Sequence, residues 1–341
     1  MKIIFLRLKP NKFGGAEKYL QRLTGELKAR NIDFDIKYTS APKFLSSWLK
    51  IIWYNLEVCP FKSNKFYFSL ERVICPDIYR AGDGVHKTFL KIEKKSKLNP
   101  LHFVYLFIEK RMFKTAKIII ANSHMIKNQI INTYNINPSK VKVIYNGIPL
   151  KEKVSFDDIK KEFNLSNEKI LLYVGSGFKR KGVKEALDII SKLEGDFKFF
   201  VIGKEKNLEW YKNYAKSLKI ENKVIFTGPR SDVDKFYSMS DIFIFPTKYE
   251  PFSNVVLEAL NFENIVFTTK MNGASEILPQ KWIIDDNIVN KIQELLNNNE
   301  KLDELKKKAK EISQNYSIEK NVDETIKVIN EVINRTTHMA R

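Results

Sequence analysis

Short runs of apolar residues alternate with amphipathic stretches along most of this chain, the pattern of parallel strands layered with helices. Residues 2–7 read as a first strand, Gly14-Gly15 opens a helix over about 15–29, and a second strand follows near 32–38. The next stretch reads as irregular, with aromatic runs at 47–54 and 66–69. Order returns with Ile118-Ile119-Ile120-Ala121-Asn122-Ser123, a buried strand ending in a polar turn, and with Val141 to Tyr145, closed by Asn146-Gly147. Residues 149–168 are charged, lack a strong apolar run and read as a linker with a short helix. Beyond Lys169 the alternation is regular, with strands near 169–174, 197–202, 223–227, 241–246 and 264–268. The end, from Tyr316 to about Ile333, is an amphipathic helix. Two doubly wound α/β sheets in tandem are therefore expected, with ligands beyond the carboxyl ends of their strands.

Composition adds an electrostatic bias. The 341 residues carry 59 Lys and Arg against 40 Asp and Glu, a net charge of +19. Such an excess favours phosphorylated ligands, nucleic acid or an acidic membrane surface, although a Lys-rich source bias would produce it too. No nucleic-acid-binding signature accompanies it, so nucleic acid is not expected as a partner. Cys59 and Cys75 are the two cysteines. They are too few for a zinc site of four thiolates, and a disulfide between them, although possible, is not expected without an export signal. The N-terminal apolar run is broken by charge and lacks the form of a signal peptide, and no uninterrupted apolar stretch approaches the ~20 residues that span a bilayer. A cytoplasmic or peripheral location follows as the expectation.

The densest candidate chemistry is Lys248-Tyr249-Glu250-Pro251-Phe252-Ser253-Asn254-Val255-Val256-Leu257-Glu258, after the strand ending at Phe245. Pro251 biases Glu250 out of helical conformation and onto the loop. Ser253 or Asn254 can cap the helix that follows, whose first-turn N–H groups suit a diphosphate. Glu258, one turn in, has the acceptor geometry for ribose hydroxyls. A second segment, Gly175-Ser176-Gly177-Phe178-Lys179-Arg180-Lys181-Gly182, also follows a strand. Its glycines allow close backbone approach, and Arg180 and Lys181 can neutralise phosphate charge.

Glu250 and Glu258 at this spacing resemble the E-x7-E motif of the retaining family 4 glycosyltransferases of GT-B fold, and the Gly175–Gly182 loop is similar to that family's donor-diphosphate loop. Softer matches fall in the family's order: Gly14-Gly15-Ala16-Glu17, Asn122-Ser123, Tyr145-Asn146-Gly147, Phe226-Thr227-Gly228-Pro229-Arg230 and Asn272-Gly273-Ala274-Ser275-Glu276. One departure is Ser176, where many relatives carry an arginine directly after the first glycine; Arg180 would take its place. The segment Asp77 to His86 is similar to that of the lipopolysaccharide core glucosyltransferases.

The resemblance implies two Rossmann-like domains facing a cleft: residues 1–150 as the acceptor domain, joined by a returning helix at about 317–335, and residues 151–316 as the nucleotide-sugar domain. It implies Glu250, Asp83 and Lys181 as catalytic. Gly14, Gly15, Gly175, Arg180, Lys181, Arg230, Phe252, Ser253, Asn254, Val255 and Glu258 would hold the donor. Glu17, Asp83 and His86 would face the acceptor. The implied reaction moves a hexose, first of all glucose, from a UDP-sugar to a lipopolysaccharide core or similar glycan at the cytoplasmic membrane face. No cofactor or metal is expected: Asp33-Phe34-Asp35 and Asp232-Val233-Asp234 mimic DxD metal motifs, but the first lies in a strand around an apolar residue and the second starts a helix. Residues 86–117, with nine Lys and Arg among aromatics, suit an anionic membrane surface or a core helix with basic flanks. A sugar-nucleotide epimerase of the same architecture and a non-catalytic nucleotide- or membrane-binding module are the competing readings. A dinucleotide oxidoreductase is disfavoured, since no GxGxxG follows the first strand.

Overall fold

A computed structural model of the chain describes residues 2–9, 15–63, 65–94 and 99–339. The chain divides into two compact units, Met1–Asn146 with Ile318–Arg341, and Gly147–Ser317.

In the first unit, strands β1 (Ile3–Leu6), β2 (Phe34–Lys37), β3 (Phe66–Ser69), β4 (Ile78–Ala81), β5 (Ile118–Ala121) and β6 (Val141–Val143) form one sheet in the order β2-β1-β3-β4-β5-β6. Every pairing is parallel. Helices α1 (Gly15–Ala29), α2 (Ser47–Val58), α3 (His86–Ile92), α4 (Pro100–Thr115) and α5 (His124–Tyr134) connect the strands. Helix α5 shows how local sequence sets such bounds. Ser123 accepts from the Ile126 N–H at its start, and Asn135, left-handed at φ 51°, stops it.

The second unit begins with α6 (Asp157–Glu162) and contains β7 (Lys169–Val174), β8 (Phe197–Ile202), β9 (Val224–Gly228), β10 (Ile242–Phe245) and β11 (Ile265–Thr268). Its sheet has the order β11-β10-β7-β8-β9, again all parallel. Around it run α7 (Phe178–Lys181), α8 (Val183–Ile190), α9 (Leu208–Ser217), α10 (Val233–Met239), α11 (Asn254–Asn261), α12 (Ile288–Asn297) and α13 (Asn299–Gln314). The last helix, α14 (Ile318–Met339), returns to the first unit, where Ile318, Val322, Val328, Ile329 and Val332 join Phe5, Leu23 and Phe68 in one core.

Two expectations are corrected. The stretch read as irregular holds helix α2 and strands β3 and β4, which pair along their whole length with β1 and β5 respectively. Strand β3 is buried at every position and so shows no polar alternation. Strand β4 carries a charge at its centre: Arg80 is buried, donates to Asn146 Oδ1 at 2.6 Å and lies 3.7 Å from the centre of the Tyr19 ring. The second correction is Cys59–Cys75, which is a disulfide with Cα atoms 5.7 Å apart. The fold brings the end of α2 beside the connection from β3 to β4, a proximity that 16 residues of separation do not disclose. Among the described residues no helix is long and apolar enough to cross a membrane.

Candidate functional site

In a doubly wound sheet the chain reverses its direction of strand addition at one point, and a crevice opens beyond the strand ends there. The second unit reverses between β7 and β10. Both segments singled out from the sequence leave the sheet at these two strand ends. After β7, Gly177 at φ +78° and Gly182 at φ +81° bracket α7. A Cβ at Gly182 would meet the Pro246 carbonyl oxygen at 2.0 Å, so only glycine lets the loop lie against the end of β10. The Lys248 N–H then donates to the Arg180 carbonyl at 2.9 Å.

These backbone contacts bring Arg180, Lys181 and Glu250 together. Arg180 donates to the Tyr249 carbonyl at 2.7 Å and to Glu250 Oε2 at 3.0 Å. Lys181 Nζ stands 3.6 Å from the same oxygen and 5.5 Å from the centre of the Phe245 ring. Glu250 is fixed through its backbone, which bonds Met271 and Gly273 at 2.9 Å each. Two cations thus share one carboxylate, leaving a surplus positive charge in a half-buried setting, which suits an anionic ligand. Gly175 lies against this cluster: a Cβ there would sit 3.1 Å from Lys181 Cδ.

The other predicted residues are placed as follows. Phe252 and Ser253 are buried, and Asn254 and Val255 open α11. Of the two capping candidates, Ser253 occupies the N-cap position, without a side-chain cap bond, and Asn254 is the first residue of the helix. Glu258 is half-buried on α11 and accepts from the Tyr237 hydroxyl at 3.4 Å. Burial, then the Glu258 charge, pushes the Tyr237 phenol well above its ordinary value. Arg230 is committed elsewhere, donating to Glu162 at 2.7 and 2.9 Å and to Asp232 at 2.9 and 2.8 Å. Asp234 pairs with Lys151, and Asp33 and Asp35 flank Lys2.

The first unit reverses between β1 and β3. Arg7 leaves β1 and Glu71 follows β3; the two are ion-paired, and the Leu8 N–H donates to Glu71 Oε1 at 3.2 Å. Glu17, in the first turn of α1, stands 3.5 Å from Arg7 Nε. Burial raises the Glu71 carboxyl above its ordinary range, against the opposing pull of Arg7. Gly14 lies outside the described residues, and Gly15 is the first residue of α1. Asp83 is exposed on the turn after β4, where Asn122 Nδ2 donates to the Gly82 carbonyl at 3.3 Å. His86 is buried at the start of α3, with Nε2 3.1 Å from His102 Nδ1. Burial first, then Arg72 and His102, lower its pKa to about 4.

Arg7, Glu71, Arg72 and Glu109 escaped the sequence reading. The signal available for them was a charge beside or inside an apolar run, where a buried ion must have a partner.

Comparison with known proteins bears on the fold and on the broad activity. Residues 155–312 match the family described as glycosyl transferases group 1, and residues 80–152 match Glycosyltransferase Family 4. An uncharacterized glycosyltransferase of Methanocaldococcus jannaschii is 27% identical over 320 residues, 89% of this chain and 76% of the relative. The capsular polysaccharide biosynthesis glycosyltransferase CapM of Staphylococcus aureus is 33% identical over 188 residues, 51% of this chain and 48% of the relative. Several other curated relatives are likewise matched over about half their length. Among solved structures, WaaG, a glycosyltransferase involved in lipopolysaccharide biosynthesis, superposes with a TM-score of 0.80 at 18% identity, over 96% of this chain and 99% of that one. Anabaena HepE, crystallised with UDP and glucose, gives 0.76 at 16%, over 97% and 100%. The fold is GT-B, and the matches support a family 4 glycosyltransferase.

Proposed function

We propose that the chain is a retaining hexosyltransferase that moves glucose, or a closely similar hexose, from a UDP-sugar to a glycan or glycolipid acceptor of the lipopolysaccharide-core type. The observation that carries this reading is the cluster of Arg180 and Lys181 on Glu250 at the reversal point of the second sheet. A nucleotide diphosphate would draw the two cations, and the freed carboxylate of Glu250 would take sugar hydroxyls. Glu258 would accept from the ribose. As the glycosidic bond breaks, negative charge grows on the leaving phosphate, and Arg180, Lys181 and the first-turn amides of α11 would stabilise it. The acceptor oxygen would bond the anomeric carbon on the face the diphosphate leaves, passing its proton to a phosphate oxygen. On this reading Asp83, with Glu17 and His86 nearby in the first unit, serves the acceptor. That HepE was crystallised with UDP and glucose supports the choice of donor.

The acceptor would be met at the inner face of the cytoplasmic membrane. Helix α4 supports this, with Phe103 and Phe107 exposed at 74% and 58% beside exposed Lys110, Arg111 and Lys114. A cytosolic thiol pool would hold Cys59 and Cys75 reduced, so their oxidation state in cells reports the compartment.

Saturation-transfer NMR with a panel of UDP-, GDP- and ADP-sugars tests the donor assignment. Selective binding of one UDP-hexose, lost in Glu258→Ala, is the expected result. A folded protein that binds none of them would remove the transferase reading.

A further inference from the structure

Resting on the reading that Asp83 serves the acceptor, we propose that Glu109 is a positioning residue that holds the acceptor-side turn, Gly82 to His86, in place. Helix α3 begins three residues after Asp83, and its N-cap residue, Val85, has no side-chain oxygen to satisfy the first-turn N–H groups. Glu109 supplies the acceptor from another helix. Its side chain, on α4, is fully buried, and its Oε2 accepts from the His86 N–H at 2.9 Å while Oε1 lies 3.4 Å from the Lys87 nitrogen. The same two oxygens take Arg72 Nε at 3.3 Å and the Tyr134 hydroxyl at 2.7 Å. All four partners are donors, and an ionised carboxylate, an acceptor at about four lone-pair directions, matches the set.

The arrangement reaches further than one helix end. Arg72 lies 4.9 Å from the centre of the Tyr105 ring, also on α4, and follows Glu71, which is paired to Arg7 at the end of β1. Glu109 therefore grips the turn carrying Asp83 and, through Arg72, the segment carrying Glu71. Asn122 holds the other side of the turn at Gly82. A buried carboxylate is costly unless compensated, and here the compensation comes from the groups whose placement the acceptor side needs. The side chain of Glu109 itself is out of reach of any solvent-borne substrate, so its action is through the turn.

Glu109→Gln keeps the shape of the side chain but sets an amide donor against a set of donors. In the full-length protein, labelled for NMR, hydrogen exchange at the His86 and Lys87 amides should quicken by about tenfold or more, as expected when a buried cap is lost. The Asp83 carboxyl 13C and Gly84 amide resonances should shift, while those of Gly175, Lys181 and Glu250 hold. Tyr134→Phe removes one of the four donors and should produce the same changes at smaller amplitude, which decides the matter if Glu109→Gln does not fold. A role in stability alone would lower the unfolding midpoint and leave the Asp83 and Gly84 signals unmoved; that outcome, in either variant, overturns the proposal. UDP titrated into the same samples keeps the two readings apart. Wild-type protein that fails to bind UDP retires the transferase reading, whereas UDP bound alike by wild type and Glu109→Gln, with the turn displaced, is the expected result.

Discussion

Glu250 is held by its backbone and contested by two cations, so each side chain in the cluster has a separable job. On the proposed reading, removing Lys181 would take away charge that the leaving diphosphate needs; replacing Glu250 by Gln keeps the shape and takes away the carboxylate. Both substitutions are expected to lower transfer by about 10²–10³-fold, the scale of losing one preorganised electrostatic contact in an active site. Side chains that are partly exposed, 18% for each, allow this with little change in the unfolding midpoint. Turnover of the identified UDP-sugar, measured beside a thermal melt, checks the pair; full activity in a folded Lys181→Ala variant would refute the assignment. The cluster was legible in the sequence because its parts lie in two contiguous segments that each end a strand. Glu71 and Glu109 were not, because Arg7 lies 64 residues before the first and His86 lies 23 before the second. A charge set in an apolar run signals that a partner is needed, but nothing local says which residue it is.

At the scale of elements, α3 and α4 pack their inner faces around His86, which stacks on Phe89 and meets Tyr105 edge-on. Burial there makes the charged imidazole unfavourable, and the Arg72 charge adds to the effect. In the unfolded chain His86 should titrate near its ordinary 6.5, in the folded chain near about 4. As pH falls, the unfolded state takes up the proton first. The contribution of His86 to stability is therefore complete above about 6.5 and is lost progressively toward about 4. Thermal melts across this window should show a steeper loss for the wild type than for His86→Gln, and equal slopes would contradict the burial argument. The elements themselves were read unevenly. The second sheet was visible strand by strand, since apolar runs such as Ile242–Phe245 are bounded by polar turns. Strands β3 and β4 were hidden, one by aromatic residues buried on both faces and the other by Arg80, whose partners Tyr19 and Asn146 come from distant parts of the chain.

Over the whole molecule, the net charge of +19 and the exposed aromatics would supply, on the proposed reading, two independent means of meeting an anionic bilayer. Helix α2 packs beside α4 and exposes Trp53 and Leu56, while Phe61 lies exposed just after it, so exposed apolar side chains are not confined to the segment that the sequence marked. Sequence pattern found the basic aromatic stretch but left open whether α4 was core or surface. The structure divides the helix, with Ile108, Met112 and Phe113 buried and Phe103 and Phe107 exposed. Phenylalanines at this spacing lie one helical turn apart, and transferring each fully from water is worth about 1.5–3 kcal/mol. Phe103→Ser with Phe107→Ser should therefore weaken partitioning onto vesicles of phosphatidylcholine and phosphatidylglycerol by about tenfold or more, without altering the melt. Added salt should weaken the wild type as well, because the lysines act through a screened field. Vesicles of phosphatidylcholine alone should bind less, for want of the charge. If the double variant sediments with anionic vesicles as well as the wild type does, α4 is not the lipid-facing element. If the wild type itself ignores them, the acceptor must be sought among water-soluble glycans, with the donor chemistry of the second unit unchanged.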